Sequence, residues 1–414
     1  MIFRFLNYLK ENNIDFCIIN GYENTGKDIE SDNDILFRKK YFKKIEEIIE
    51  DFCKKNNFLY IQNFHHDIYA KNIFIFDAKS QILNLDLYGE LSRKGVIFFE
   101  EKEIFDNLEY YESLPILSVE KEFIYYLYKK LDKKDLDKNV FLYLNKLWNK
   151  NPEKVKKTIR EKFNNTGNLI IKSFENKDLN LLISNRKNIL NDVKKQVSLK
   201  RKLKNYRRII KRIINSTGFS VAFLGPDGSG KSTIIKKLIN SNLPFRREDY
   251  FHLKPIKVFT SNRTSTKDPH KYHKYTPLIS YIKLIYFLFQ YNYGWFKYIW
   301  PLKIRSSLVV FDRYYDDLLV DTKRYRYGGS VDIAKFVRNF IPKPDLYFVL
   351  VTDPEIIFER KKEVPLFEIK NQVKKYEELV DDKKYIKIDV SKSPDENVYF
   401  IIKKILEKMN EKYK

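Results

Sequence analysis

Between Asp15 and Tyr88, runs of β-branched and aromatic residues alternate with stretches of helical period. Asp15–Asn20, Asp34–Phe37, Leu59–Asn63, Asn72–Phe76 and Ile82–Tyr88 predict strands, and Tyr41–Asn56, apolar at steps of three and four, predicts an amphipathic helix among them. An α/β unit with a mixed sheet follows. From Val119 to Asn191 the strand signal stops and helical patterns such as Glu120–Leu131 and Lys154–Phe163 take over; these helices are expected to pack on the first unit. Asn215-Ser216-Thr217-Gly218 marks a boundary. Beyond it a second α/β pattern begins, with strands at Phe219–Leu224, Ser307–Phe311 and Leu346–Val351 and a helix over Ile234–Asn240. The chain therefore reads as α/β, divided into 1–118, a helical extension 119–193, a basic linker helix 194–217 and a second α/β domain 218–414. Its 414 residues suffice for two or three domains with separate cores.

In the linker, Leu199, Leu203, Tyr206, Ile210 and Ile213 recur at steps of four, three, four and three, forming one apolar stripe on a helix. Lys200, Arg201, Lys202, Lys204, Arg207, Arg208, Lys211 and Arg212 occupy its other faces. Two readings follow: contact with a membrane surface or nucleic acid, or a linker whose stripe docks on a neighbouring domain. The second is the expectation. Leu278–Tyr291 is the most lipid-like run, but Lys283 interrupts it, and it falls short of the roughly 18–20 apolar residues of a span.

A hydrophobic fraction of 43% with 16% aromatics excludes a disordered chain. Lys plus Arg number 79 against 55 Asp plus Glu, a net charge of +24. Such a field concentrates anions of several kinds, from nucleic acid to lipid to phosphorylated metabolites. Because the lysines are spread over the entire chain, nucleic acid is not the expected partner; a nucleotide and a small-molecule acceptor are. Room remains for peripheral membrane contact through 194–212 and for a homodimer. Cys17 and Cys53 lack C-x-x-C spacing and read as reduced, buried thiols, without a thiolate zinc site. Met1–Lys10 carries no signal-peptide pattern, so the expected location is cytoplasmic, with the inner membrane surface as the peripheral one.

Chemistry is densest after Phe219–Leu224. Gly225-Pro226-Asp227-Gly228-Ser229-Gly230-Lys231-Ser232-Thr233 fits G-x-x-x-x-G-K-S/T between a strand and a helix, the context in which that motif cradles phosphates. Glycines let main-chain N–H groups turn toward a polyphosphate, and the helix N-terminus adds partial positive charge. Lys231 would reach the β- and γ-phosphates and the Ser232 hydroxyl suits Mg2+. Gly225, Asp227, Gly228, Ser229, Gly230, Lys231, Ser232 and Thr233 are thus the candidate ATP-binding residues. The strand at 307–311 ends in Asp312-Arg313-Tyr314, and groups at the carboxyl ends of strands in an open sheet gather along one edge, beside the loop. Arg360-Lys361-Lys362 would close over a transferring phosphoryl group.

The ordered set of Gly225–Thr233, Asp312-Arg313-Tyr314, Pro344–Leu350, Glu359-Arg360-Lys361-Lys362-Glu363 and Ile388-Asp389-Val390-Ser391 resembles the thymidylate kinase family of P-loop nucleoside-monophosphate kinases, from Gly218 to the end. The resemblance implies a P-loop parallel sheet with helices on both faces, and ATP and Mg2+ as cofactors. It implies ATP phosphates on Lys231 and Ser232, Asp312 near Mg2+ and the acceptor, and Arg313 on the acceptor or the transferred phosphoryl group. Arg360 would be the lid arginine and Asp227 would lie near the acceptor. Lys231, Asp312, Arg313, Arg360 and Asp227 are therefore the catalytic candidates, and Ser232 and Asp312 the metal ligands. Phe251–Trp300, with His252, Lys254, Pro269 and His270, and Arg324-Tyr325-Arg326-Tyr327-Gly328-Gly329 depart from a thymidylate pocket. The expected acceptor is accordingly a nucleotide or another small sugar or phosphorylated compound. Thymidylate kinase-like proteins of bacterial surface-polysaccharide clusters look closer in this stretch, which suggests that setting.

In the first domain, Asp32 and Asp34 are two apart and would share one face of a strand. Asp86 from a neighbouring strand would complete a Mg2+ site suited to nucleotidyl transfer. Carboxylates in apolar strands are costly to bury without a cation. The order Gly21, Asp32, Asp34, Asp86 resembles the nucleotidyltransferase superfamily, with Tyr22 where that superfamily commonly has Ser. It implies a nucleotidyltransferase-like mixed α/β fold with Asp32, Asp34 and Asp86 as metal ligands. Of His65 and His66, adjacent on a strand, one at most faces that cleft; His270 and His273 read as a solvated loop pair. The expected function is ATP-dependent phosphotransfer at the C-terminal site. The alternatives are nucleotidyl transfer at the N-terminal aspartates, with which the chain would be bifunctional, and nucleotide-gated binding of nucleic acid or membrane.

Overall fold

The computed structural model describes residues 1–22, 33–77, 81–93, 95–194, 198–241, 243–255, 272–361 and 364–413. Their contacts separate into two units, Met1–Arg212 and Ile213–Lys412.

The N-terminal unit holds β1 (Phe16–Ile18), β2 (Asn33–Phe37), β3 (Leu59–Asp67), β4 (Ala70–Phe76) and β5 (Ile82–Tyr88), each within a few residues of its predicted run. Four further strands lie outside the expectations: β6 (Leu91–Arg93), β7 (Val96–Phe99), β8 (Glu109–Tyr111) and β9 (Leu114–Ile116). At three or four residues they are too short to show alternation. The sheet runs β3-β4-β5-β2-β1-β9-β8, with β6 and β7 as a separate ribbon. It is mixed, because β2 pairs parallel with β5 and antiparallel with β1.

Alternation along β2 serves both faces of this sheet. Ile35 joins Phe5, Leu9, Ile49 and Phe52 from helices Ile2–Glu11 and Ile45–Asn56. Leu36 joins Phe123, Tyr128, Trp148 and Phe174 from helices Val119–Lys133, Lys138–Lys150 and Gly167–Glu175. The helical extension thus shares a core with the sheet.

In the C-terminal unit, β10 (Phe219–Leu224), β11 (Arg247–His252), β12 (Ser307–Asp312), β13 (Leu346–Val351) and β14 (Tyr385–Asp389) are all parallel, in the order β11-β12-β10-β13-β14. Every position of β10, β12 and β13 is buried, as a parallel sheet covered by helices requires. The loop after β10 therefore leaves the centre of the sheet.

The basic helix spans Leu199–Ile214 and corrects one expectation. Its apolar stripe is turned away from the N-terminal unit: Leu199, Leu203, Tyr206 and Ile210 are exposed, Ile213 is half-buried, and the cations make the contacts to that unit instead. The lipid-like run lies in helix Pro277–Gly294, with Leu278, Ile282, Ile285 and Phe289 exposed. Among the described residues no helix is long and apolar enough to cross a membrane.

Candidate active site

At the end of β10 the chain turns at Gly225, whose φ of +145° places a would-be Cβ 2.5 Å from the Leu350 carbonyl of β13. Only glycine lets the loop pass that close to the neighbouring strand. Gly228 (φ +86°) and Gly230 (φ +81°) complete the wrap. Helix Lys231–Ile239 starts at once, three residues before its predicted beginning, and exposes Ser232 and Thr233 on its first turn. Lys231 is buried, and its Nζ donates to the carbonyls of Gly225 (2.8 Å) and Pro226 (2.7 Å). Burial and the nearby Arg313 guanidinium push its ammonium pKa down to about 7.

Asp312 ends β12 in register with Phe223 of β10 and His252 of β11. Its Oδ2 accepts from Tyr250 Oη at 3.1 Å, with His252 Nδ1 at 3.7 Å, while its buried Oδ1 has no hydrogen-bond partner. Burial opposes ionisation, yet His252, Lys231 and Arg313 hold its carboxyl low. Arg313 follows with φ +70°, a left-handed conformation costly for a side chain this size. Its N–H donates to the Phe223 carbonyl at 2.9 Å, and its guanidinium is buried between Asp317 and Asp227. Asp317 Oδ1 accepts from Tyr376 Oη at 2.6 Å and Oδ2 from Tyr325 Oη at 3.3 Å. Arg324 also donates to Asp227, so two arginines converge on one loop carboxylate. Against its burial, they hold that carboxyl well below the usual carboxylate range.

Gly225, Asp227, Gly228, Ser229, Gly230, Lys231, Asp312 and Arg313 are thus brought together. Asp317, Tyr376, Arg324 and Tyr250 belong to the same cluster and were not assigned from sequence; the paired acids Asp316-Asp317 in an apolar stretch were the available signal. Arg360 ends helix Pro354–Arg360 and is exposed, and the Lys361 Cβ lies 3.1 Å from where Gly228 would carry its own. Lys362 and Glu363 lie outside the described residues.

The residues present fit ATP with Mg2+. An exposed hydroxyl at Ser232 and an unpartnered carboxylate oxygen at Asp312 are hard oxygen donors of the kind Mg2+ takes, beside the glycine-rich loop. A parallel sheet with this loop on its central strand and Asp-Arg on the adjacent strand is consistent with a P-loop kinase fold.

Residues 223–401, all within the C-terminal unit, match the thymidylate kinase family model. Over 188 residues, 43% of this chain, the sequence is 26% identical to a probable thymidylate kinase of Methanocaldococcus jannaschii, 90% of which is covered. Among solved structures, thymidylate kinase from Candida albicans aligns with a TM-score of 0.36 at 17% identity, over 47% of this chain and 94% of that one. Deoxyadenosine kinase from M. mycoides aligns with a TM-score of 0.30 at 16% identity, over 45% and 98%.

In the N-terminal unit, Asp34 and Asp86 are direct partners across β2 and β5. Asp34 is buried; its Oδ2 accepts from Lys129 Nζ at 2.6 Å and its Oδ1 from Tyr88 Oη at 3.2 Å. Asn72 Nδ2 donates to Asp86 Oδ1 at 2.7 Å. His66 stacks edge-on to Tyr88, and burial holds its pKa down at about 4; His65 instead faces Glu46. Tyr22 is buried in the core beside Tyr111. Asp32 and His270 lie outside the described residues. Among the described residues no group of three or more His, Cys, Asp or Glu gathers to hold a metal, and Asp34 already has a cation. Of the expected Mg2+ ligands Asp32, Asp34 and Asp86, the two described stand side by side, with Lys129 on Asp34 and Asn72 on Asp86.

Proposed function

We propose that the protein transfers the γ-phosphoryl group of Mg-ATP to a nucleoside monophosphate or a similarly small phosphorylated acceptor. The observation that carries this reading is the convergence of Arg313 and Arg324 on Asp227, at the lip of the loop whose Lys231 serves ATP. Paired guanidiniums match a phosphate dianion, and Asp227 keeps them placed until one arrives. An acceptor phosphate oxygen would form the new bond to the γ-phosphorus as the bridging bond to the β-phosphate breaks and ADP leaves. Lys231 would balance charge on the transferred group, and the exposed Arg360 would supply a further cation from the helix end beside the loop.

Tyr250 and His252 stand against Asp312 and Arg324 against Asp227, so residues outside a thymidylate-type pattern surround the site and the acceptor is set by experiment. Sugars and sugar phosphates, and with them a role in surface polysaccharide, belong to the same panel of acceptors. The test is ADP release on dTMP, other monophosphates, sugars and sugar phosphates. Lys231→Ala is expected to lower turnover about a hundredfold or more; unchanged turnover would end the kinase reading.

Nucleotidyl transfer in the N-terminal unit is the second reading, favoured by the side-by-side register of Asp34 and Asp86. It predicts pyrophosphate release that Asp34→Ala removes.

A further inference from the structure

The helix Leu199–Ile214 is attached to the N-terminal unit through its cations. Arg201 pairs with the buried Glu90 carboxylate, and Arg208 Nη1 donates to the His65 carbonyl at 2.8 Å. The Arg212 guanidinium lies 4.0 Å from the centre of the Phe64 ring, and Lys204 Nζ donates to Tyr69 Oη at 3.3 Å. Arg201, Arg208 and Arg212 stand at steps of seven and four, on one face. The opposite face carries Leu199 (78% exposed), Leu203 (65%), Tyr206 (64%), Ile210 (57%) and Ile214 (72%). Lys200, Lys202, Arg207 and Lys211 are exposed and flank the stripe.

A surface helix ordinarily turns such a stripe toward the core. Here rotation would bring the stripe inward only by breaking the Arg201–Glu90 pair, so the docked face fixes the apolar row outward. We propose that this helix is a preoriented docking site for an anionic lipid surface. The stripe enters the boundary between headgroups and acyl chains while the four flanking cations meet headgroup phosphates. Charge complementarity selects this occupant. The sixteen residues hold eight Lys and Arg and no acid, so a second copy of the face would oppose like charges. Nucleic acid would satisfy the cations and leave the apolar row in water.

The test is sedimentation of the full chain with vesicles of phosphatidylcholine alone and of phosphatidylcholine with phosphatidylglycerol. Binding to the anionic vesicles should exceed binding to neutral ones about tenfold or more at low salt and fade as salt rises. Leu203→Glu combined with Ile210→Glu should abolish it, and Lys200→Gln with Lys211→Gln should weaken only the anionic component. All four positions are exposed, so both variants should keep the wild-type melting temperature and ADP release in solution. No binding of the wild type at low salt overturns the proposal. So does unimpaired binding by the glutamate variant, which would mark plain charge attraction. A lipid-free dimer that the glutamate variant dissolves would make the stripe a self-association face instead.

Discussion

Asp227 occupies a loop position where one side chain decides what two arginines do. Arg313 is locked by Asp317 below it, whereas Arg324 comes from a loop and pairs only with Asp227 among the contacts described for its guanidinium. Arg324→Gln should therefore raise the acceptor KM about tenfold or more with little change in the KM for ATP, and Arg324→Lys should recover part of it. Equal loss toward both substrates would place Arg324 in the scaffold. Asp345 offers a second residue-scale test. Its Oδ2 accepts from Ser220 N (2.7 Å), Ser220 Oγ (2.8 Å) and Lys303 Nζ (2.7 Å), binding the approach to β13 to that of β10. Burial works against the charge, but Lys303 and Lys412 hold the carboxyl below its ordinary value. A depressed carboxyl contributes stability that is complete above its unfolded pKa and lost as pH falls through the folded one. Asp345→Asn should thus cost about 2–3 kcal/mol at neutral pH, with the gap to wild type closing in acid; thermal melts across pH measure it. The loop Gly225–Thr233 was legible in sequence because a phosphate loop is a local motif. Asp317, Tyr376 and Arg324 were not, because their roles arise where distant stretches meet.

Among elements, the joint between β2 and helix Val119–Lys133 carries the buried pair of Asp34 and Lys129. Lys129 is raised in pKa by Asp34 against the effect of burial. Removing one partner leaves an isolated buried charge, so Asp34→Asn or Lys129→Met should each cost about 3–5 kcal/mol, and the double variant should recover much of it. Urea unfolding measures the cycle; single losses below about 1 kcal/mol would show that water reaches the pair. Long, periodic elements were readable: β3, β5, β10 and β13 and the helical extension lie where apolar spacing puts them. The short strands β6 to β9 were not, since their pairing is set by partners rather than by their own pattern. The basic helix was readable as a helix but not in orientation. Its stripe predicted inward docking, and the Glu90 carboxylate, 111 residues from Arg201 in the chain, reversed that.

Across the whole molecule, two units carry separate cores, one built on a mixed sheet and one on a parallel sheet. The charge of +24 is divided between them unequally in purpose. In the C-terminal unit Lys231, Arg313 and Arg324 gather at the glycine-rich loop and its Asp227; in the N-terminal unit Lys129 neutralises a buried carboxylate and the basic helix turns its flanking cations outward. By itself the sequence determined the α/β class and the glycine-rich loop, because each depends on spacing between near neighbours. Only the tertiary structure decided which carboxylates meet a resident cation, which arginines flank Asp227 and which face of the basic helix is free. Those outcomes depend on charges far apart in the chain becoming adjacent once the sheets and helices pack.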